Sequence, residues 1–161
     1  MESPKSDSSK RNTALITDPK DLEEVVALIE EAGVFGLDLE FIPERTYFPI
    51  ICLVQIAVQD KVFLVDPIEL KDLQILWKTV ADSRIVKVLH AASQDLMIIF
   101  QRSGLIPKNI FDTQIAAGFL GLGYPAGYGK LLAALFDLNL SKTESFTDWQ
   151  ARPLSRSQIE Y

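Results

Sequence analysis

Two carboxylates stand two residues apart inside an otherwise apolar run, Val34-Phe35-Gly36-Leu37-Asp38-Leu39-Glu40-Phe41. Strand side chains alternate between faces. The pattern therefore turns Phe35, Leu37, Leu39 and Phe41 toward one side and sets Asp38 beside Glu40 on the other. Asp is a poor strand former, and adjacent like charges on a half-buried surface repel and resist desolvation. A hard cation with oxygen ligands, Mg²⁺ or Mn²⁺, relieves both costs. A metal site is one reading of the pair and a solvated strand face is the other; the pair alone does not separate them.

The 161 residues, 48% of them hydrophobic, suffice for one ordinary domain with a real core. Apolar stretches are strand-length, short of the roughly 20 residues a membrane helix requires. The polar N-terminus shows no secretory signal, so no membrane partner is expected. The single cysteine, Cys52, excludes an internal disulfide. It fits a reducing, cytoplasmic setting with no disulfide-linked partner, and Ile51-Cys52-Leu53-Val54 reads it as a buried small apolar residue. A net charge of −6 argues against gripping nucleic acid by bulk positive potential. It leaves room for phosphate bound through divalent ions.

Residues 1–12 are rich in Ser, Lys and Asp and read as a disordered tail, with the folded domain expected over 13–161. Ala14-Leu15-Ile16 suits a short strand. Asp18-Pro19 opens a helix with apolar Leu22, Val25, Val26 and Ile29 on one face and Gly33 placed to end it. After the acidic strand, 52–58 and 62–66 suit a hairpin around Gln59-Asp60-Lys61 and an antiparallel meander. From Leu70 the rhythm becomes helix (70–80), strand (85–89), helix (93–103), strand (110–111) and helix (113–120), which predicts parallel strands with helical crossovers. A glycine-rich loop over 121–129, a helix over 130–136, an irregular stretch over 141–153 and a last helix capped by Ser155 complete the chain.

His90-Ala91-Ala92-Ser93-Gln94-Asp95-Leu96 leaves a strand and opens a helix, which brings Asp95 to the carboxyl edge of the sheet. A charge favouring the helix dipole accounts for Asp95 equally well. The lone histidine, His90, suits a hydrogen-bonded strand end better than a metal ligand, since one imidazole makes neither a zinc site nor a triad. Asp112 in Phe111-Asp112-Thr113-Gln114 reads as the cap of the next helix. Thr147-Asp148-Trp149-Gln150-Ala151-Arg152-Pro153-Leu154 reads as a packed anchor or as a contact to a polyanion.

Taken in order, Asp38-Leu39-Glu40, Leu89-His90-Ala91-Ala92-Ser93-Gln94-Asp95-Leu96, Phe111-Asp112-Thr113-Gln114 and Thr147 to Leu154, followed by Gln158 and Tyr161, resemble the successive motifs of the ribonuclease D family. These are 3′-5′ exonucleases with three acidic motifs, in the branch whose third motif carries tyrosine. The resemblance covers about Phe35 to Tyr161. It implies an α/β, ribonuclease H-like mixed sheet, with three antiparallel strands followed by alternating helices and parallel strands, flanked by helices. It implies that Asp38, Glu40 and Asp95 are catalytic and hold two divalent ions, Mg²⁺ or Mn²⁺, roughly 3.5 to 4 Å apart. Tyr161 would orient or help deprotonate the attacking water.

The implied partner is a nucleic acid with a free 3′ end, RNA such as a tRNA precursor, shortened to nucleoside 5′-monophosphates. Expected substrate neighbours are Lys142, Arg152 and Gln158 for phosphate or base, Phe41 and Tyr47 for stacking, Arg45 and Thr46 for backbone phosphate, and His90 beside the second motif. In the family the third motif continues to an aspartate four residues beyond its tyrosine, whereas the sequence given ends at Tyr161. Two alternative expectations follow: a catalytically impaired, nucleic-acid-binding module without the fourth carboxylate, and a proofreading-type DNA exonuclease.

Overall fold

A computed structural model describes residues 13–43, 46–139 and 147–160. The expected tail at 1–12, and Arg45, Lys142 and Tyr161, lie outside the described residues. A six-stranded mixed sheet runs in the order β1 (Thr13–Ile16), β4 (Lys61–Val65), β3 (Ile50–Val58), β2 (Val34–Ile42), β5 (Val86–Leu89), β6 (Ile110–Asp112). The meander is present, with β2 antiparallel to β3 and β3 antiparallel to β4. The chain then crosses to the other edge, where β5 runs parallel to β2 and β6 parallel to β5. β1 lies parallel to β4 at the opposite edge, a pairing with no local signal.

α1 (Pro19–Ala32) forms as its caps dictate. The Asp18 side chain accepts from the Lys20 N–H at 2.8 Å, Pro19 starts the first turn, and Gly33 ends the helix at φ 68°. Its buried residues, Leu22, Val25, Val26 and Ile29, are those the periodicity selects. The single helix expected over 70–80 is instead two: α2 (Pro67–Leu70) and α3 (Gln74–Ala81). Asp66 caps α2 by accepting from the Ile68 and Glu69 N–H groups, and Lys71 leaves the helix at φ 60°. Asp72 then accepts from the Gln74 N–H at 2.8 Å and restarts it. α4 (Ser93–Ser103) and α5 (Thr113–Phe119) follow the parallel strands as expected, and α6 (Tyr128–Phe136) begins inside the predicted glycine loop.

The sheet has two covered faces. Phe35, Leu37, Leu39, Val54, Ile56 and Val58 pack under α1, α3 and α4 in the main core. On the reverse face Cys52, Leu53 and Leu64 are covered by Trp149 and Leu154, so the 147–154 stretch is a packed anchor. Cys52 is fully buried, as expected. It is also the extra residue of a β-bulge: Glu40 pairs with Leu53 but Phe41 pairs with Ile51, which leaves Cys52 unmatched on β2. α7 (Arg156–Glu160) starts with a reciprocal cap. The Ser155 hydroxyl accepts from the Gln158 N–H at 3.2 Å, and the Gln158 side-chain oxygen accepts from the Ser155 N–H at 2.8 Å.

Candidate nuclease site

β2 outruns its parallel neighbour. Its pairing with β5 covers Val34, Phe35 and Gly36, with Gly36 matched to Val88. Two residues further along each chain, Asp38 stands level with His90, where β5 has ended and the chain turns into α4. Asp38 and Glu40 thus project beyond the shorter strand, and the first turn of α4 brings Asp95 toward them, buried to 8% exposure. The geometry follows from strand length: because β5 stops at Leu89, the chain turns into α4 beside Asp38 and does not continue as a strand.

The three carboxyl groups act on one another. Burial raises Asp95 to about 7, with the Asp38 charge adding to the effect. Burial also raises Glu40 to about 7, with smaller contributions from Asp38 and then Asp95. Asp38 rises to about 6 through burial, against the backbone hydrogen bond of Leu39, and is the acid most open to solvent. No cationic side chain is among the causes of these shifts. As placed, the side chains do not close a ready-made cage: among the described residues no three His, Cys, Asp or Glu groups stand close enough to hold one ion. What they offer is a set of hard oxygen donors whose repulsion a divalent cation would cancel, and this donor chemistry fits Mg²⁺ or Mn²⁺.

These shifts have a consequence for stability. A carboxyl whose folded pKa is raised favours the folded state below its unfolded value, and that contribution disappears as pH rises through the folded value. The unfolded values are 3.8 for Asp and 4.5 for Glu, and the folded ones about 6 and about 7. In EDTA, the melting temperature should therefore fall as pH is raised from 5 to 8, by roughly 4 °C or more. A flat profile by scanning calorimetry would show that the acids are not coupled as described.

The turn between β5 and α4 is held from a distance. Ala91 adopts φ 57°, a left-handed conformation costly for a residue with a Cβ. The Asp112 carboxylate accepts from the Ala91 N–H at 3.1 Å, from the Ala92 N–H at 2.9 Å and from the Gln114 N–H at 2.8 Å. Asp112 is the expected cap of α5, but it also clamps the turn that aims Asp95. Sequence reading missed this second role, since nothing local links residues 20 apart.

The sequence profile of the 3′-5′ exonuclease family matches residues 13–161. The chain belongs to that family. Ribonuclease D of Gluconacetobacter diazotrophicus is 45% identical over 148 residues, which cover 91% of this chain and 38% of the relative. Ribonuclease D of Desulfotalea psychrophila is 40% identical over 148 residues, covering 91% of this chain and 40% of the relative. The chain thus spans about two fifths of the length of these curated relatives. The crystal structure of Escherichia coli RNase D superposes with a TM-score of 0.87 at 35% identity, over 93% of this chain and 40% of that one. The fold is the ribonuclease H-like fold expected from the resemblance.

Within this exonuclease domain, the other expected residues divide between surface and interior. Thr46 is exposed on the segment after β2, its hydroxyl donating to the Phe48 carbonyl at 2.5 Å. Tyr47 beside it is 94% exposed, its ring edge-on to Phe48 at a centroid distance of 4.9 Å. Arg102 holds this segment through two hydrogen bonds to the Pro49 carbonyl, at 3.1 and 2.7 Å. Phe41 is partly buried against the main core.

Arg152 and Gln158 are engaged inside the protein. The Arg152 guanidinium makes a two-point contact with Asp66 at 2.5 and 2.8 Å, and donates to the carbonyls of Cys52, Trp149 and Ala151. Gln158, at 4% exposure, is consumed by the Ser155 cap and by the Asp148 carbonyl at 3.2 Å. The expectation that these two touch phosphate gives way to a structural role, because their polar atoms are already spent inside the protein. The sequence signal was Asp66-Pro67, the same cap-and-proline pair as Asp18-Pro19.

Proposed function

We propose that this chain performs metal-dependent 3′-5′ exonucleolysis on RNA, releasing nucleoside 5′-monophosphates from free 3′ ends such as those of tRNA precursors in the cytoplasm. The observation that carries the reading is the nearness of Asp38, Glu40 and Asp95, all raised by burial, with repulsion from Asp38 raising Glu40 and Asp95 further, beyond the end of β5 in an exonuclease-family sheet. The choice of RNA is supported by the 35% identity to Escherichia coli RNase D, described as an exoribonuclease involved in structured RNA processing.

Asp38, Glu40 and Asp95 would hold two Mg²⁺ or Mn²⁺ ions. When bound, such ions supply an activated water and stabilise charge on the phosphate and on the leaving 3′ oxygen. The carboxylates would bind and orient the ions, with Asp95 as the buried member of the set and Asp38 as the one open to solvent. Tyr161 would position the attacking water. Thr46 and Arg45 would steady the backbone phosphate, Lys142 would neighbour it, and Tyr47 and Phe41 would meet the terminal base.

End-labelled RNA with a 3′ hydroxyl should shorten stepwise under Mg²⁺ or Mn²⁺, while its 3′-blocked twin should persist. Equal cutting of both would reject an exonuclease. Mn²⁺ added at pH 7.5 should also restore the melting temperature lost in EDTA, since the cation replaces the proton as the neutraliser of the three acids.

A further inference from the structure

His90 follows the end of β5, two residues past Val88 as Asp38 is two past its partner Gly36, and carries the one buried side-chain polar atom that lacks a hydrogen-bond partner among the described residues, its Nε2. The other ring nitrogen settles what Nε2 is. Nδ1 lies 2.9 Å from the Thr113 hydroxyl, and that hydroxyl donates to the Leu89 carbonyl at 3.1 Å. A carbonyl can only accept, so the Thr113 proton is committed to Leu89 and its oxygen must receive the His90 Nδ1–H. A proton on Nε2 as well would strand a charged N–H in a dry position, the costlier choice. Nε2 therefore presents a lone pair. A buried acceptor left unmatched costs about 1–3 kcal/mol, and in a native site such an atom calls for an explanation.

The ring packed against the imidazole is Tyr128, at a centroid distance of 5.3 Å. Tyr128 is half-exposed, opens α6, and sits between Gly127 and Gly129, neither of which has an atom within 4 Å of where a Cβ would stand. This half-exposed ring is the aromatic cover over the imidazole.

We propose that His90 Nε2 accepts a hydrogen bond from the ribose 2′-hydroxyl of the 3′-terminal nucleotide, reached when Tyr128 moves aside, so that His90 distinguishes a ribose from a deoxyribose end. This inference rests on the proposed function above. The argument for a sugar hydroxyl is one of constancy. An enzyme that removes successive nucleotides meets all four bases, and a fixed acceptor finds the same donor each time only on the sugar. Thr113 acts as a positioning residue that holds the ring in the accepting tautomer.

The test compares two short RNA oligonucleotides that differ only in a 2′-hydroxyl or 2′-hydrogen at the last residue, read by both binding (fluorescence anisotropy) and shortening rate. The wild-type chain should bind the ribose end roughly tenfold more tightly, the worth of one hydrogen bond. In His90→Phe the ratio should fall to about one, through weaker binding of the ribose end alone. Thr113→Val, which frees the ring without touching the substrate, should also reduce it. Equal affinity of wild type for both ends, or an unchanged ratio in either folded variant, overturns the inference. Discrimination in binding without shortening would uphold it and count against the nuclease reading, so the two failures are distinguishable.

Discussion

Asp38→Asn is expected to lower the shortening rate of 3′-hydroxyl RNA by about 10³-fold or more, equivalent to about 4 kcal/mol of transition-state stabilisation, while making the metal-free protein more stable at neutral pH. The two signs come from one cause. Asp38 contributes to the raised pKa of both Glu40 and Asp95. Removing its charge relieves repulsion that a metal would otherwise neutralise, and the same change removes a ligand. A site held under electrostatic strain for function behaves in this way. Melting curves in EDTA and single-turnover rates in Mn²⁺ on the same preparation check both halves. A variant that lost stability along with activity would make Asp38 a structural residue.

The second large effect is structural. Arg152→Ala should destabilise the fold by about 3–5 kcal/mol, because it leaves the Asp66 carboxylate buried without its cation. Asp66 is 1% exposed and the Arg152 side chain 17%, so solvent screens the pair little. The change also strips a donor from the carbonyls of Cys52, Trp149 and Ala151. The melting temperature should drop by roughly 10 °C or more, with the tryptophan signal of the 149 region lost at lower urea than that of the main core. Arg152→Lys should recover only part, since an ammonium cannot reproduce the two-point contact. A variant as stable as wild type would mean that Trp149 and Leu154 alone hold this segment down.

The sequence shows its local chemistry plainly and its distant chemistry hardly at all. Asp18, Pro19 and Gly33 set α1 because each acts within a turn of itself, and the alternation through Asp38 and Glu40 predicts their shared face because period two is built into a strand. The helix expected over 70–80 breaks because Asp66 starts a short helix earlier, at Pro67, Lys71 leaves it at φ 60°, and the chain restarts only at Gln74, although the apolar periodicity looked continuous. Arg152 looked like a phosphate contact because a cation before a helix advertises charge, whereas its partner lies 86 residues earlier. Asp112 showed its cap and hid its clamp for the same reason. Coupling of Asp95 to Asp38 and Glu40 became legible only through the family resemblance and then through the unequal lengths of β2 and β5.

The unmatched Cys52 gives its strand one residue more than the pairing with β2 requires. Opposite Glu40 the extra residue lets Cys52 and Leu53 both face the Trp149 side while Ile51 returns to the main core. Deleting Cys52 would erase the kink and make Ile51 and Leu53 consecutive partners of Phe41 and Glu40, each still on its present face. Point replacements at Cys52 by another small apolar residue leave the frame intact. What the spare residue supplies is cover: two successive side chains instead of one meet the Trp149 anchor behind Glu40.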